Sequence, residues 1–283
     1  MQNLTNISVV KDILSRHGFT FSKSLGQNFI INPSVCPRIA EEGGACENTG
    51  VIEIGTGVGV LTAELAKRAK KVVAIEIDDR LIPVLSETLS DFDNVKIINE
   101  DVLKVDLNKV IEEEFSGMDV YVCANLPYYI TSPIIMSLLE SRLNIKAITV
   151  MVQKEAATRL TAELGTRDVG AVTVAVRYYS EPRLLFNVSR GSFMPSPNVD
   201  SSVIRLDVKN EQKVDDEKHF FKVVRAAFSQ RRKTLSNSLS SGLSMDKKII
   251  TEAIKSAGLS ESIRPEQLSM EDFINIAESV RKI

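Results

Sequence analysis

The 283-residue sequence has no tryptophan, only two histidines and only three cysteines. Cys36, Cys46 and Cys123 are odd in number and share no Cys-x-x-Cys spacing, which argues against a disulfide framework and against a cysteine-based zinc site. With His17 and His219 as the only imidazoles, a metal centre would need carboxylates alone, and no metal is expected. His17 stands directly before Gly18, which suits a helix end: histidine complements the dipole and glycine ends the helix. No stretch approaches the roughly 20 apolar residues of a membrane span. The opening MQNLTNISVVKDILSRHG lacks the basic start and apolar middle of a signal peptide and reads as a short amphipathic helix. A cytoplasmic, monomeric protein with no membrane partner is therefore expected.

What is present is the profile of a globular protein, 43% apolar and 25% charged, long enough for a large core with a smaller domain beside it. The net charge of −2 hides an asymmetry. Between Lys218 and Leu239 stand six basic residues, Lys218, Lys222, Arg225, Arg231, Arg232 and Lys233, and no acid. Such a run is either a solvated helix face or a surface for a polyanion.

Along the chain, apolar runs alternate with helical patterns. GVIEIG, KKVVAIEID, NVKIINED and MDVYVCAN read as strands, with VLTAELAKRA and DRLIPVLSETL as intervening helices. IKAITVMVQ, AVTVAVRYYS and SSVIRLDV are further β-branched runs. Strands that are nearly continuous in apolar residues imply a mostly parallel, doubly wound α/β sheet covered on both faces. From about Lys209 only helical periodicity remains, in about four segments. The expected division is a Rossmann-like domain over residues 1–208 and a small all-α domain over 209–283.

The first strand runs into Gly55, Gly57 and Gly59, a turn that lets a ligand approach the main chain. Val60 stands where a dinucleotide fingerprint needs its last glycine, which disfavours a pyrophosphate cradle. The second strand ends in Glu76, where an acid accepts hydrogen bonds from ribose hydroxyls, and the third in Asp101, which suits an amine such as that of adenine. Each acid alone could be a helix cap or a surface charge. Together they describe an adenosine-bearing ligand without a need for phosphates, and S-adenosylmethionine fits better than NAD.

The fourth strand closes on Asn125-Leu126-Pro127-Tyr128. An exocyclic amine is a poor nucleophile because its lone pair is delocalised into the ring. The Asn125 side-chain oxygen and a main-chain carbonyl beside Pro127 could accept its two N–H groups and localise that pair. Pro127 fixes the loop and Tyr128 offers a ring for stacking. A strand that merely ends in a proline turn is the bland alternative. Phe193 lies in a loop stiffened by Pro195 and Pro197, as an outward clamp for an extruded base or as a buried anchor.

SLGQNFIINPSV, EIGTGVGVLTAEL, IEID, NED, NLPYY, FMPSPNVDSSV and AAFSQRRKTLSNSL, in this order, resemble the ribosomal RNA adenine N6,N6-dimethyltransferases, most nearly their small-subunit branch. The resemblance implies that the Asn28 side chain and the Ile30 main chain help hold S-adenosylmethionine and that Gly55 and Gly57 approach its methionine part. It also implies that Glu76 takes the ribose, Asp101 the adenine amine, and Asn125 to Tyr128 the target amine, with Phe193 against the target base. It implies transfer of four methyl groups to two adjacent adenosines in the 3′-terminal hairpin loop of small-subunit (16S) rRNA, within the small ribosomal subunit or its precursor, and a place in late subunit biogenesis. The helical domain, through Arg225, Arg231, Arg232 and Lys233, would engage the RNA. Thr56, where the family often has proline, and Ile30 and Asn32, where leucine and an acid are common, depart from the pattern. The alternatives are a large-subunit enzyme of the macrolide-resistance type and a non-catalytic assembly factor.

Overall fold

The structure, a computed structural model, describes residues 2–22, 26–230 and 232–282. Seven strands form one sheet: β1 (Thr49–Ile54), β2 (Lys71–Glu76), β3 (Val95–Asn99), β4 (Asp119–Asn125), β5 (Ala147–Gln153), β6 (Ser180–Val188) and β7 (Ser201–Val208). Their order across the sheet is β3-β2-β1-β4-β5-β7-β6. β1 pairs in parallel with both β2 and β4, β2 with β3 and β4 with β5, while β7 runs antiparallel to β5. The mostly parallel, doubly wound sheet expected from the alternating runs is what forms.

Burial explains the strand sequences. All six residues of β1 are buried, as befits a central strand covered on both faces. β3, at the sheet edge, has no fully buried residue and carries Lys96 outward to Glu114. Each of β1 to β4 is followed by a helical segment, Val60–Ala66, Ile82–Thr88, Leu107–Glu114 and Thr131–Glu140. The parallel register puts Ile54 level with Ile75 and with Ala124, and Glu76 level with Asn99. The carboxyl ends of β1 to β4 therefore share one edge. Strand order reverses between β1 and β4, where an open α/β sheet leaves a crevice.

The chain divides into two compact units, Met1–Ala157 with Glu181–Val208, and Thr158–Ser180 with Lys209–Ile283. In the second, four helices follow one another: Glu217–Ala227, Leu235–Leu243, Lys247–Ser256 and Met270–Arg281. The single cut expected at 208/209 misses the earlier piece. AVTVAVRYYS, expected as a β-branched run, is also different: Ala171–Tyr179 is an α-helix. Both differences have one cause. Propensity is a weak prior that packing overrides, and this helix buries Val174, Val176, Tyr178 and Tyr179. The tyrosine rings join Phe220 and Phe221 with centroids 4.9–5.3 Å apart, and both tyrosine hydroxyls donate to the Glu217 carboxylate, at 2.9 and 3.3 Å.

In the first unit, helix Ile7–Arg16 ends on His17, with Gly18 at φ 63°, as the His-Gly pair anticipates. The His17 ring and the Arg16 guanidinium both meet Glu87, at 2.8 and 2.7 Å, so this histidine has a structural role.

Gly50 offers a check of the central packing. A Cβ there would lie 2.2 Å from the Phe115 ring. Gly50→Ala is expected to lower stability by about 1–3 kcal/mol, the usual cost of overpacking, seen as a lower urea midpoint; an unchanged midpoint would contradict this packing.

Candidate active site

The crevice between β1 and β4 holds a cleft with about 650 Å³ of free space, its mouth included. Four stretches line it: residues 26–29, the glycine turn after β1, Glu76 and Ile77 at the tip of β2, and residues 125–129 after β4. A smaller space of about 300 Å³ lies against Glu53, Thr56 and Leu61 and shares Asn28, Gly55, Gly57 and Asn125 with the cleft.

The glycine turn is built for close approach. Gly55 and Gly57 have φ of 76° and 56°, and a Cβ on Gly57 would press within 3.1 Å of the Phe29 ring. A Cβ on Gly55 would meet only the Asn125 carbonyl, at 3.8 Å, so this side of the main chain is open to a ligand. Glu76 is 5% exposed, and its carboxylate is aimed by its neighbours. Oε2 accepts from the Thr56 hydroxyl (3.0 Å) and the Gly57 N–H (3.2 Å), and Oε1 from the Asp78 N–H (2.9 Å). Each carboxylate oxygen can accept more than one hydrogen bond, which leaves capacity for ribose hydroxyls. Asp78 in turn accepts from Gln27 Nε2 at 2.7 Å and pairs with Arg80, whose guanidinium is the main reason its carboxyl titrates below the usual range.

At the β4 tip the Asn125 Nδ2 donates to the Asn28 carbonyl at 3.2 Å. The amide is thereby oriented, and its oxygen Oδ1 remains an acceptor on a residue that lines the cleft. Leu126 is fully buried and donates its N–H to the Met151 carbonyl at 3.2 Å. The Pro127 carbonyl is taken by the Ile130 N–H and the Thr131 hydroxyl, both at 3.2 Å, whereas the Leu126 carbonyl has no hydrogen-bond partner among the described residues. The Tyr128 hydroxyl lies 2.8 Å from the Ser201 hydroxyl, and burial raises its pKa. Tyr128 is thus a pinned ring in the cleft wall. Asn28 donates Nδ2 to the Gly26 carbonyl at 3.0 Å, and buried Ile30 lines the smaller space.

Two expected residues stand elsewhere. Phe193 is not an outward ring: it is 4% exposed, paired with Ile30 in a two-stranded ribbon of Phe29–Ile30 and Phe193–Met194, and lines neither space. The apolar cluster that includes Phe29 and Val188 takes the ring, a burial worth about 1.5–3 kcal/mol for such a side chain. Asp101, beyond the β3 tip, does not line the cleft; its Oδ1 accepts from the Leu103 N–H at 3.0 Å.

Three residues were not read from the sequence. Tyr129 is 63% exposed and Ile77 55% exposed, yet both line the cleft, apolar surface left at a mouth. The repeated tyrosine in NLPYY and the apolar residue between two acids in EID were the available signals. Glu53 is 1% exposed and faces the smaller space. A lone acid inside the apolar run VIEIG was the sign. Burial pushes its pKa up to about 8; the Thr62 hydroxyl pulls the other way and Glu76 adds to the rise.

The donor set indicates what fits. Among the described residues, the two spaces are lined by two carboxylates and by no lysine or arginine. An anionic pyrophosphate would find no counter-charge here, whereas S-adenosylmethionine, with an ammonium, a sulfonium and a ribose, matches the acids and the open glycine main chain. No group of three or more His, Cys, Asp or Glu among the described residues is placed to hold a metal ion.

In the second unit, Lys218, Lys222 and Arg225 are exposed at i, i+4 and i+7 of helix Glu217–Ala227, and Arg232 and Lys233 are exposed just beyond it. None of these five is in an ion pair among the described residues. Arg231 lies outside the described residues.

Comparison with known proteins shows the family. A curated relative from Geobacillus thermodenitrificans, named ribosomal RNA small subunit methyltransferase A, is 51% identical over 276 residues, covering 95% of this chain and 94% of its own length. One of the same name from Bacillus cytotoxicus is 48% identical over 286 residues, covering 99% and 98%. Among solved structures, a dimethyladenosine transferase from Plasmodium falciparum superposes with a TM-score of 0.75 at 27% identity, over 90% of this chain and 98% of that one. The 23S rRNA methyltransferase ErmE superposes with a TM-score of 0.68, also at 27% identity, over 90% and 100%. The family model for ribosomal RNA adenine dimethylase matches residues 18–282, almost the entire chain, and with relatives half identical along their full length the protein belongs to that family.

Proposed function

We propose that this S-adenosylmethionine-dependent adenine dimethyltransferase acts on two adjacent adenosines in the 3′-terminal hairpin loop of small-subunit rRNA, converting each to N6,N6-dimethyladenosine. The observation that carries the reading is the Asn125 amide. Its nitrogen is committed to the Asn28 carbonyl, so its oxygen is the end left for a ligand in an acidic cleft that no cation lines among the described residues. The relatives named for the small subunit, near half identical, support the choice of RNA. ErmE, a large-subunit enzyme by its name, is half as similar in sequence.

S-adenosylmethionine supplies a methyl group already activated by its sulfonium charge. The chain's own task is to hold and to orient. Glu76 receives the ribose hydroxyls, and the open main chain at Gly55 and Gly57 admits the methionine part. Asn28 and Ile30 close that side; Asp101, outside the residues that line the cleft, would meet the adenine amine of the cofactor only from beyond its rim. Asn125 Oδ1 and the Leu126 carbonyl accept the two N–H groups of the target amine, which favours a pyramidal nitrogen with its lone pair directed at the methyl group. Tyr128, fixed by Ser201, gives the target ring a face to stack on. Phe193, beneath the surface, supports the ribbon that carries Ile30. The exposed cations from Lys218 to Lys233 contact phosphates of the RNA and release counterions.

The direct test supplies methyl-labelled S-adenosylmethionine to unmodified small subunits, large subunits and naked RNA in parallel, with products digested to nucleosides and weighed. Dimethyladenosine from small-subunit RNA is expected; label in the large subunit alone would overturn the substrate, and no label anywhere would leave an assembly factor. Asn125→Ala should slow methyl transfer roughly 10- to 100-fold, the worth of a hydrogen bond or two, while S-adenosylhomocysteine affinity changes little; full activity would refute the role of Asn125. Replacing Arg225, Arg232 and Lys233 by Gln should flatten the dependence of log RNA affinity on log salt by about 2–3 in slope, as read by filter binding. An unaltered slope would move the RNA surface elsewhere.

A further inference from the structure

Apolar surface collects along the edge of the sheet that carries the cleft. Ile77, Leu103 and Tyr129 follow the tips of β2, β3 and β4, Val199 stands just before β7, and each is a large apolar side chain left exposed. β7 runs antiparallel to β5 and pairs Ser201 with Gln153, so its start lies at the same edge as the tips of the parallel strands. Ile77 and Tyr129 line the cleft from strands on the two sides of β1. Ile77 follows Glu76 and belongs with the cofactor's ribose and adenine. Tyr129 follows the residues assigned to the target amine, and the holding of cofactor and target amine leaves it without a task.

A single exposed aromatic is ordinary on a protein surface. Its placement sets this one apart. Tyr128 is pinned in the cleft wall by its hydroxyl, 2.8 Å from that of Ser201. Tyr129, the next residue, is 63% exposed and makes no hydrogen bond or ring contact among the described residues. The backbone beneath it is nonetheless fixed: the turn Tyr128–Ile130 is closed by the Ile130 N–H and the Thr131 hydroxyl, which both donate to the Pro127 carbonyl at 3.2 Å. One flank of the ring lies along Gly26, where a Cβ would stand 3.6 Å from Cδ1 and Cε1 of Tyr129. Gly26 itself lines the cleft. The ring is thus held at the mouth with most of its surface open, an uncharged π-face on a rigid support.

A base that enters the cleft leaves its stack, and its neighbour in the strand loses a stacking partner. The phosphodiester link keeps that neighbour at the mouth. We propose that Tyr129 is the stacking platform for the adenosine adjacent to the one in the cleft. This rests on the substrate proposed above, two adjacent adenosines, and assigns a place to the one that is not reacting. The ring restores the stacking that extrusion removes and reads no base edge. Methyl groups on N6 leave the π-face intact, so the neighbour is held whether or not it has already been modified. The strand crosses the mouth in one direction, so the ring takes the neighbour on a single side of the target. Tyr129 is a positioning residue: it makes no bond to the reacting atoms and acts through affinity for the RNA.

The experiment measures binding of the whole protein, saturated with S-adenosylhomocysteine, to unmodified small subunits, and methyl transfer to the same subunits. Tyr129→Leu keeps an apolar side chain and removes the ring. It should weaken subunit binding roughly tenfold, the worth of one base stacked on an aromatic ring, and raise KM for the subunit more than it lowers kcat. Tyr129→Phe, which loses only a hydroxyl without a partner, should match the parent. Both variants should bind S-adenosylhomocysteine as the parent does, which also reports a folded site. Subunits rebuilt with uridine, a weak stacker, at one adenosine of the pair and then at the other complete a double-mutant cycle. One of the two swaps should weaken binding by the parent and leave binding by Tyr129→Leu unchanged. A Tyr129→Leu protein that binds subunits as the parent does overturns the proposal. So does a Phe variant as weak as the Leu variant, a loss of S-adenosylhomocysteine binding in either, or effects of ring and base that add at both positions. Absence of dimethyladenosine from small subunits treated with the parent would instead sink the substrate reading, and the proposal with it.

Discussion

The parallel pairing of β1 with β2 on one side and β4 on the other is the constraint on which the rest depends. It sets Ile54 level with Ile75 and Ala124, so that the turn after β1, Glu76 and Asn125 emerge together at one edge. A slip of one residue in either pairing would turn the outgoing side chains to the opposite face of the sheet. The register is held where slipping costs most, in strands buried on both faces, with β1 buried at every position. The precision of the site thus comes from the core. Loops contribute reach, and their own hydrogen bonds, such as Asn125 to Asn28 and Tyr128 to Ser201, fix the last degrees of freedom.

Electrostatics then decides what such a crevice can hold. Rossmann-like crevices that bind dinucleotides offer glycine-rich main chain and a helix N-terminus to a pyrophosphate. Here two acids stand within reach of the same glycine turn, and no basic side chain among the described residues lines the space. That charge pattern favours a ligand that is itself cationic. It also separates the labours of the chain: the catalytic cleft is acidic, while exposed, unpaired cations collect along one helix face of the second unit. The near-zero net charge of the whole chain hides this asymmetry.

Much of this was legible in the sequence, because strand tips are marked by chemistry as well as by hydropathy. Gly55, Glu76 and Asn125 each end an apolar run, and a residue that ends a buried strand is delivered to the edge of the sheet. What was misread follows from packing that a single strand does not reveal. Phe193 sits in a proline-stiffened loop, which suggests exposure, but its ribbon partner Ile30 comes from far away in the chain and draws the ring inward. AVTVAVRYYS has the β-branched content of a strand and forms a helix because Tyr178 and Tyr179 find aromatic partners at Phe220 and Phe221. The same contact explains why residues 158–180 belong with the later helices. Glu53 was passed over because strand reading rewards the apolar residues around it, although an acid in that company is the anomaly.

The central claim is that the edge shared by β1, β2 and β4 holds the cofactor's adenosine on Glu76 and leaves Asn125 for the target amine. A crystal structure of the protein with S-adenosylhomocysteine tests it most directly. The account predicts both ribose hydroxyls in hydrogen bonds with the Glu76 carboxylate, the adenine beside Ile77, and Asn125 Oδ1 facing the space beyond the sulfur. A ligand seated away from Glu76, or an Asn125 amide turned so that Nδ2 points into the cleft, would contradict it.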